Sequence, residues 1–99
     1  MSFKITYRPE AELDIEESAK WYEKQRINLG FEFVNEVEKK GEFIETNPFL
    51  YEKIYKSVQR AVLERFPFNI FYIVEDESVI VVAVMHGSRH PKKWQKRVK

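Results

Sequence analysis

The fold is decided by the stretch Phe68-Asn-Ile-Phe-Tyr-Ile-Val-Glu-Asp-Glu-Ser-Val-Ile-Val-Val-Ala-Val-Met85. Residues 68–74 and 79–85 are rich in β-branched and aromatic side chains, and the polar residues 75–78 between them are typical of a turn. The pattern therefore predicts a β-hairpin. Because both runs are almost continuously apolar, we expect the hairpin to lie in the centre of a sheet with helices covering a face.

The N-terminal half predicts one short strand followed by two helices. Residues 3–7 alternate apolar and polar side chains, and Pro9 suits the first turn of a following helix. Residues 10–26 and 29–46 then repeat apolar side chains at three-to-four spacing, as amphipathic helices do. The short link between them favours an antiparallel helical hairpin. Gly41 interrupts the apolar stripe, and we expect it to weaken the second helix by about 1 kcal/mol relative to alanine.

A further strand is predicted over residues 58–65, with a bend or bulge at Pro67 before the hairpin begins. The predicted order is therefore β-α-α-β-β-β. This order implies an α+β fold, a mostly antiparallel sheet with the N-terminal helical hairpin packed on one face. No linker or repeat divides the chain, so residues 1–99 are expected to form one domain.

Composition narrows the class of protein. The 99 residues contain no cysteine, which excludes disulfides and fits a reducing cytoplasm. No apolar run approaches the length needed to cross a bilayer, so no membrane partner is expected. The net charge of +1 hides an asymmetry, because residues 1–52 carry −5 and residues 53–99 carry +6. A basic half indicates a polyanion or an acidic protein as partner.

The C-terminal stretch His86-Gly-Ser-Arg-His-Pro-Lys-Lys-Trp-Gln-Lys-Arg-Val-Lys99 concentrates the ionisable groups that chemistry needs. It contains both histidines and six Lys/Arg, and no acidic residue follows Glu77. By strand parity, His86 should share a face with Ile80, Val82 and Val84. A histidine there can transfer a proton or bind phosphate, or it can simply hydrogen-bond the neighbouring backbone. Two histidines without a nearby carboxylate or thiolate supply too few ligands for a catalytic zinc, so no metal is expected.

Basic and aromatic side chains are interleaved along the second half of the chain. Cations neutralise phosphates and aromatic faces stack on exposed bases, so the mixture fits nucleic acid. It fits equally well a groove for an acidic amphipathic helix. The residues concerned are Lys53, Lys56, Arg60, Arg65, Arg89, Lys92, Lys93, Lys96 and Arg97 with Tyr51, Tyr55, Tyr72 and Trp94.

The order and spacing of several short motifs resemble the RelE/ParE family of bacterial type II toxins. These motifs are Tyr7-Arg-Pro-Glu-Ala-Glu-Leu-Asp-Ile15, Trp21-Tyr22, Leu29-Gly30, Asn47-Pro48, Arg60-Ala-Val-Leu-Glu-Arg-Phe-Pro-Phe-Asn-Ile-Phe-Tyr72, Ile80-Val-Val-Ala-Val-Met-His86 and Arg89-His-Pro91. The resemblance implies the toxin of a plasmid-stabilisation type of toxin–antitoxin system. It also implies a cognate antitoxin whose acidic or amphipathic C-terminal segment wraps the toxin, and no cofactor.

Two branches of the family imply different targets. RelE-like members cut mRNA in the ribosomal A site, and the resemblance then implies His86 or His90 as the acid/base. Arg89, Arg65 and Lys56 would bind phosphate, so that the catalytic set is His86, Arg89 and Arg65. ParE-like members inhibit DNA gyrase without a nuclease site. The chain has Asn69 where the nucleases tend to carry arginine, and Trp94 near their terminal tyrosine.

These departures favour a ParE-like gyrase inhibitor, with the RelE-like nuclease as the alternative and an inactive remnant of the toxin fold as a third possibility. The residues predicted to contact the target or the antitoxin are Lys56, Arg60, Tyr72, His90, Lys93, Trp94 and Arg97.

Overall fold

A five-stranded sheet with the order β1-β5-β4-β3-β2 forms the centre of the molecule, whose computed structural model describes residues 3–98. The strands are β1 (Lys4–Tyr7), β2 (Lys53–Tyr55), β3 (Val58–Val62), β4 (Phe68–Glu75) and β5 (Ser78–His86), and the helices are α1 (Pro9–Gln25), α2 (Leu29–Thr46) and α3 (Lys92–Gln95). The strand pairs are antiparallel except for β1, which is parallel to β5. The predicted α+β class is confirmed.

The structure has five strands where the sequence predicted four, and the additional strand is β2. The three residues of β2 pair with β3, and a strand so short leaves no alternation in the sequence to detect. The strand predicted over residues 58–65 ends earlier, at Val62, because the chain turns before Pro67. The short helix α3 was also absent from the predicted order.

The two helices pack closely at the start of α2. A Cβ added to Gly30 would lie 2.5 Å from the backbone oxygen of Ala19, so only glycine permits this approach. The Glu23 carboxylate accepts hydrogen bonds from the backbone N–H groups of Asn28 (2.9 Å) and Gly30 (3.0 Å). The end of α1 therefore satisfies two of the free N–H groups at the start of α2.

Gly41 has a packing role that its interruption of the apolar stripe does not reveal. The residue is buried, and α2 continues through it to Thr46. A Cβ at this position would lie 2.6 Å from the Tyr7 hydroxyl oxygen of β1. The missing side chain thus lets the helix lie against the edge strand, and burial raises the pKa of Tyr7 to about 12.

The two faces of the sheet carry separate cores. On the first, which we call the helix face, α1 and α2 bury Phe33, Val37 and Ile44 against β4 and β5. On the second, which we call the open face, a smaller cluster forms around Phe71, Met85 and Trp94. Trp94 belongs to α3, so the C-terminal end of the chain, and not a long helix, covers this face.

A β-bulge in β5 changes which face each side chain occupies. Tyr72 pairs with Val81 and Phe71 pairs with Ala83, so Val82 has no partner on β4. Val82 and Ala83 both pack on the open face, and Val84 returns to the helix face. The parity prediction for His86 is therefore wrong in part. His86 lies on the same face of the sheet as Val84 and on the opposite face from Val82, because the extra residue in β5 reverses the alternation.

Candidate functional site

The chain after β5 forms a stable cover on the open face, which we call the C-terminal segment (residues 87–98). A turn closes with a hydrogen bond from the Arg89 N–H to the His86 carbonyl (3.0 Å), and α3 follows. The Trp94 ring stacks on Phe71 with centroids 4.3 Å apart and an interplanar angle of 17°, and it meets Tyr55 edge-on at 5.7 Å. The indole anchors the segment and leaves the residues around it at the surface.

An ion pair joins the C-terminal segment to α1. The Arg97 guanidinium donates to both oxygens of Asp14, at 2.7 and 3.1 Å, and also to the Val82 carbonyl at 3.1 Å. The same carboxylate accepts the N–H of Val84 at 3.0 Å, and Arg8 donates to the Arg97 carbonyl at 3.2 Å. Strand β1 ends opposite Val81, so the pair satisfies backbone groups that no strand reaches.

The two histidines share one hydrogen-bonding arrangement. His86 Nδ1 accepts from the Ser88 N–H at 3.0 Å and lies 2.8 Å from Ser88 Oγ. His90 Nδ1 accepts from the Lys92 N–H at 3.1 Å. An Nδ1 that accepts a backbone hydrogen bond carries no proton, so both neutral rings bear theirs on Nε2. Each ring therefore offers a donor and has its acceptor nitrogen occupied.

A row of free cations lies along the C-terminal segment. Arg89, Lys92, Lys93 and Lys96 are exposed, and none of them forms an ion pair within residues 3–98. His90 is exposed in the same row. Surface cations without a counter-charge create a positive potential, which favours anionic or acidic ligands.

Two further predicted contact residues lie on the neighbouring strands. Arg60 is exposed on β3, and Lys56 occupies the turn between β2 and β3 with a positive φ of 52°. The Lys56 ammonium lies 5.3 Å from the centre of the Tyr55 ring. Both side chains are accessible to a partner.

Tyr72 is corrected from a contact residue to a core residue. Its side chain is fully buried, and the hydroxyl donates to the Pro48 carbonyl at 2.9 Å and accepts from Gln59 Nε2 at 3.1 Å. Burial raises the pKa of Tyr72 to about 12, because the phenolate would lose its hydration. The residue has no surface to offer a partner.

Trp94 and Arg97 are likewise corrected, since both hold the C-terminal segment in place. Trp94 is 5% exposed, and the Arg97 side chain is largely covered in its pair with Asp14. The sequence could not reveal that these two side chains are covered, because a basic and aromatic C-terminal stretch is typical of an exposed binding surface. Asp14 was not predicted either, because nothing in the sequence distinguishes it from the other acidic residues of α1.

Arg65 lies away from the two residues with which it was grouped. Its guanidinium binds the Glu32 carboxylate of α2 at 2.7 Å, while His86 and Arg89 lie at the end of β5. Hydrogen bonds from Arg65 and Arg26 hold the pKa of Glu32 below its usual value. The hydrogen bond between Arg65 and Glu32 also raises the pKa of Arg65. The three predicted catalytic residues thus do not line a common hollow.

A small polar hollow of about 80 Å³ lies where β4 and β5 meet the C-terminal segment. It is lined in part by Arg60, Asn69, His86 and Arg89. Two guanidinium groups and an imidazole N–H can bind an anion there. Within residues 3–98 no three His, Cys, Asp or Glu side chains are grouped as metal ligands. None of the helices in this part of the chain is both long and apolar enough for a bilayer.

The fold and this surface define a small α+β protein that holds a basic C-terminal segment on the open face of its sheet. The model of the family described as "ParE toxin of type II toxin-antitoxin system, parDE" matches residues 5–91. The chain belongs to this family of toxins.

A solved structure titled "Chromosomal ParDE TA system from P. aeruginosa" has the same fold. Its TM-score is 0.73 at 15% sequence identity, and the match covers 85% of this chain and 95% of that one. A search of curated proteins gave no match. At this identity the likeness concerns the fold, and the membership in the family rests on the sequence match.

Proposed function

We propose that this toxin inhibits DNA gyrase by binding to it and that a cognate antitoxin neutralises it in the cytoplasm. The observation that carries the proposal is the row formed by Arg89, Lys92, Lys93 and Lys96, which makes no ion pair with any of the residues 3–98. The C-terminal segment that displays the row is held by Trp94 and Arg97. Because the backbone of the segment is already held, binding costs less loop ordering than it would for a free tail, which favours recognition of a macromolecule.

Three features support binding rather than RNA cleavage. A nuclease needs a group that accepts the proton of the 2′-hydroxyl, and the acceptor nitrogen of His86 is occupied by Ser88. Arg65 is paired with Glu32, away from the hollow that Arg89 lines. Trp94 is buried and has no phenolic proton to transfer.

The gyrase proposal is tested with the purified chain and purified gyrase. We expect inhibition of supercoiling or accumulation of cleaved DNA. The double variant Arg89→Ala/Lys93→Ala should weaken the effect at least about tenfold, as loss of two steering charges does. A matched control is Lys24→Ala/Lys39→Ala, which removes two exposed cations of α1 and α2 that form no ion pair within residues 3–98. An unaffected gyrase, with arrest of translation in cells, would exclude this target.

The antitoxin proposal is tested with the reading frame that neighbours the gene. We expect a short acidic protein that restores growth on co-expression and co-purifies with the toxin. Arg60→Ala and Lys93→Ala should weaken the complex, and more so at low salt, because exposed charges act over the Debye length. A neighbouring product that neither binds nor protects would contradict the proposal.

A second candidate is the ribosome-dependent nuclease, and the polar hollow supports it. Arg60, His86 and Arg89 line a space in which a phosphate would be surrounded by donors. Primer extension on mRNA from induced cells tests this function. Cuts that disappear with His86→Ala or Arg89→Ala would favour the nuclease, whereas toxicity without cuts would leave gyrase binding as the better account.

A further inference from the structure

A larger pocket lies on the other side of His86, between α1 and the ends of β4 and β5. Its volume is about 450 Å³, within the range of small-molecule sites. Tyr22 and Phe68 line it together with Trp21, and the rings of Tyr22 and Phe68 are 5.9 Å apart. We call this space the aromatic pocket.

Trp21 is the unusual member of the aromatic pocket. The side chain is 58% exposed, although tryptophan is highly buried on average. Its edge-on contact with Tyr22, at 5.1 Å between centroids, holds the ring beside the pocket and leaves its surface accessible. A flat aromatic ligand can stack on such a surface, and stacking tolerates any ring with a π-face.

The polar groups of the pocket carry both signs of charge. Arg89 and His86 come from the end of the sheet, and His86 has its proton on Nε2 because Nδ1 accepts from Ser88. Glu17 comes from α1. Neither Arg89 nor Glu17 forms an ion pair within residues 3–98. A fitting ligand therefore has an anionic group that binds Arg89 and His86, and N–H donors that bind Glu17.

A nucleotide combines these three features, and a simple anion or an apolar ring does not. We propose that the aromatic pocket binds a nucleotide, with the base stacked on Trp21, the phosphate on Arg89 and His86, and an amino group of the base on Glu17. The ligand is either a free mononucleotide or an unstacked nucleotide of a single strand. The proposal does not rest on gyrase inhibition: Arg89 is shared with the cationic row, whereas Trp21 and Glu17 belong to the pocket alone.

The test is a titration of the full chain with 5′-CMP, in which the NMR signal of the Trp21 indole N–H is monitored. We expect a saturable shift in the millimolar range or below. The indole signal of the buried Trp94, which lines the polar hollow, reports phosphate binding there and so distinguishes the two sites. Cytidine alone and inorganic phosphate alone should bind about tenfold more weakly, because each supplies only part of the recognition.

Matched variants separate the pocket from unspecific attraction. Arg89→Gln should weaken CMP binding about tenfold, whereas Lys92→Gln, which removes a neighbouring exposed cation, should not. Trp21→Ala, followed through other pocket signals, should weaken CMP binding about fivefold or more, whereas Phe31→Ala, which removes a still more exposed ring from α2, should have no effect. These substitutions are at exposed positions, so the fold is expected to survive them.

Two comparisons identify the ligand further. UMP has a carbonyl where CMP has its amino group, so CMP should bind more tightly, and Glu17→Gln should remove that preference. Tighter binding of a single-stranded oligo(dC) than of CMP indicates a strand, and equal or weaker binding indicates a free nucleotide. The proposal is overturned if neither probe gives a saturable shift or if Trp21→Ala and Arg89→Gln bind as the unchanged chain does. Gyrase inhibition would be unaffected by that outcome.

Discussion

The two faces of the sheet are covered in different ways, and the difference separates stability from recognition. On the helix face, α1 and α2 enclose a continuous core in which Phe33 contacts Phe66 and Phe68. On the open face, the short C-terminal segment is held by Trp94 and by the pair of Arg97 with Asp14. The helix face therefore holds the larger core, while the open face displays exposed charged groups around a short anchored segment.

The largest effect is expected on the helix face. Phe33→Ala removes a fully buried ring from the centre of an aromatic cluster. We expect it to lower the free energy of unfolding by about 3–5 kcal/mol, because the cavity cannot collapse between two helices and a sheet. Urea unfolding followed by circular dichroism measures the loss. A loss below that of Trp94→Ala would reverse the assignment of the two faces.

Trp94→Ala should have a smaller effect of another kind. We expect a loss of about 3 kcal/mol at most, because solvent reaches the open face as the segment detaches. Amide hydrogen exchange should accelerate in residues 91–98 and stay slow in α2. Uniform acceleration across both faces would show that the segment belongs to the global folding unit.

Asp14→Asn tests the link between the two faces. The pair with Arg97 is largely covered, and the carboxylate also accepts the N–H of Val84. We expect a loss of about 2 kcal/mol, since Arg97 is left without its counter-charge while some solvent still reaches it. The double variant with Arg97→Gln should lose less than the sum of the two single losses. Additive losses would mean that the two side chains act separately.

Tyr72→Phe should have the smallest effect and depends on pH. At pH 8 we expect a loss of about 1 kcal/mol, because the hydrogen bond to the Pro48 carbonyl disappears. The pKa of Tyr72 is raised from 10.0 to about 12, so the stability that the neutral side chain contributes is fully present below pH 10. It is lost as the pH rises through 12.

The stability difference between Tyr72→Phe and the unchanged chain should therefore shrink above pH 10 and reverse before pH 12, because a pKa raised from 10.0 to about 12 outweighs a loss of about 1 kcal/mol. Tyr7, whose pKa is also raised to about 12, is present in both chains and cancels from the comparison. Urea unfolding at several pH values measures the two curves. Parallel curves over this interval would contradict the role of Tyr72 as a buried neutral group.

The sequence was sufficient for the elements with strong periodicity. The predicted bounds of the second helix agree with α2 at Leu29–Thr46, and the central hairpin appears as β4 and β5. The second helix has a sustained helical period, and the hairpin combines β-branched and aromatic runs with a polar turn between them. For β2, three residues were too few for any pattern.

The candidate site divides in the same way. Arg89, Lys93 and His90 are exposed, as a stretch without acidic residues suggested, but Arg97 of the same stretch shows that a missing neighbour in sequence does not ensure exposure. Tyr72, Trp94 and Arg97 are also basic or aromatic residues of the predicted contact set, but in the structure they are buried or covered. Composition cannot make this distinction, since it depends on which distant atoms each side chain meets.

By itself, the sequence determined the α+β class, the helical hairpin and a basic C-terminal end, because local periodicity and charge are properties of the chain. Only the tertiary structure decided where His86 lies, since the bulge at Val82 moves it relative to the alternation. It also decided that Asp14 holds Arg97 across 83 positions of sequence. Both results depend on hydrogen bonds between distant segments, which form only when the sheet and the helices are assembled.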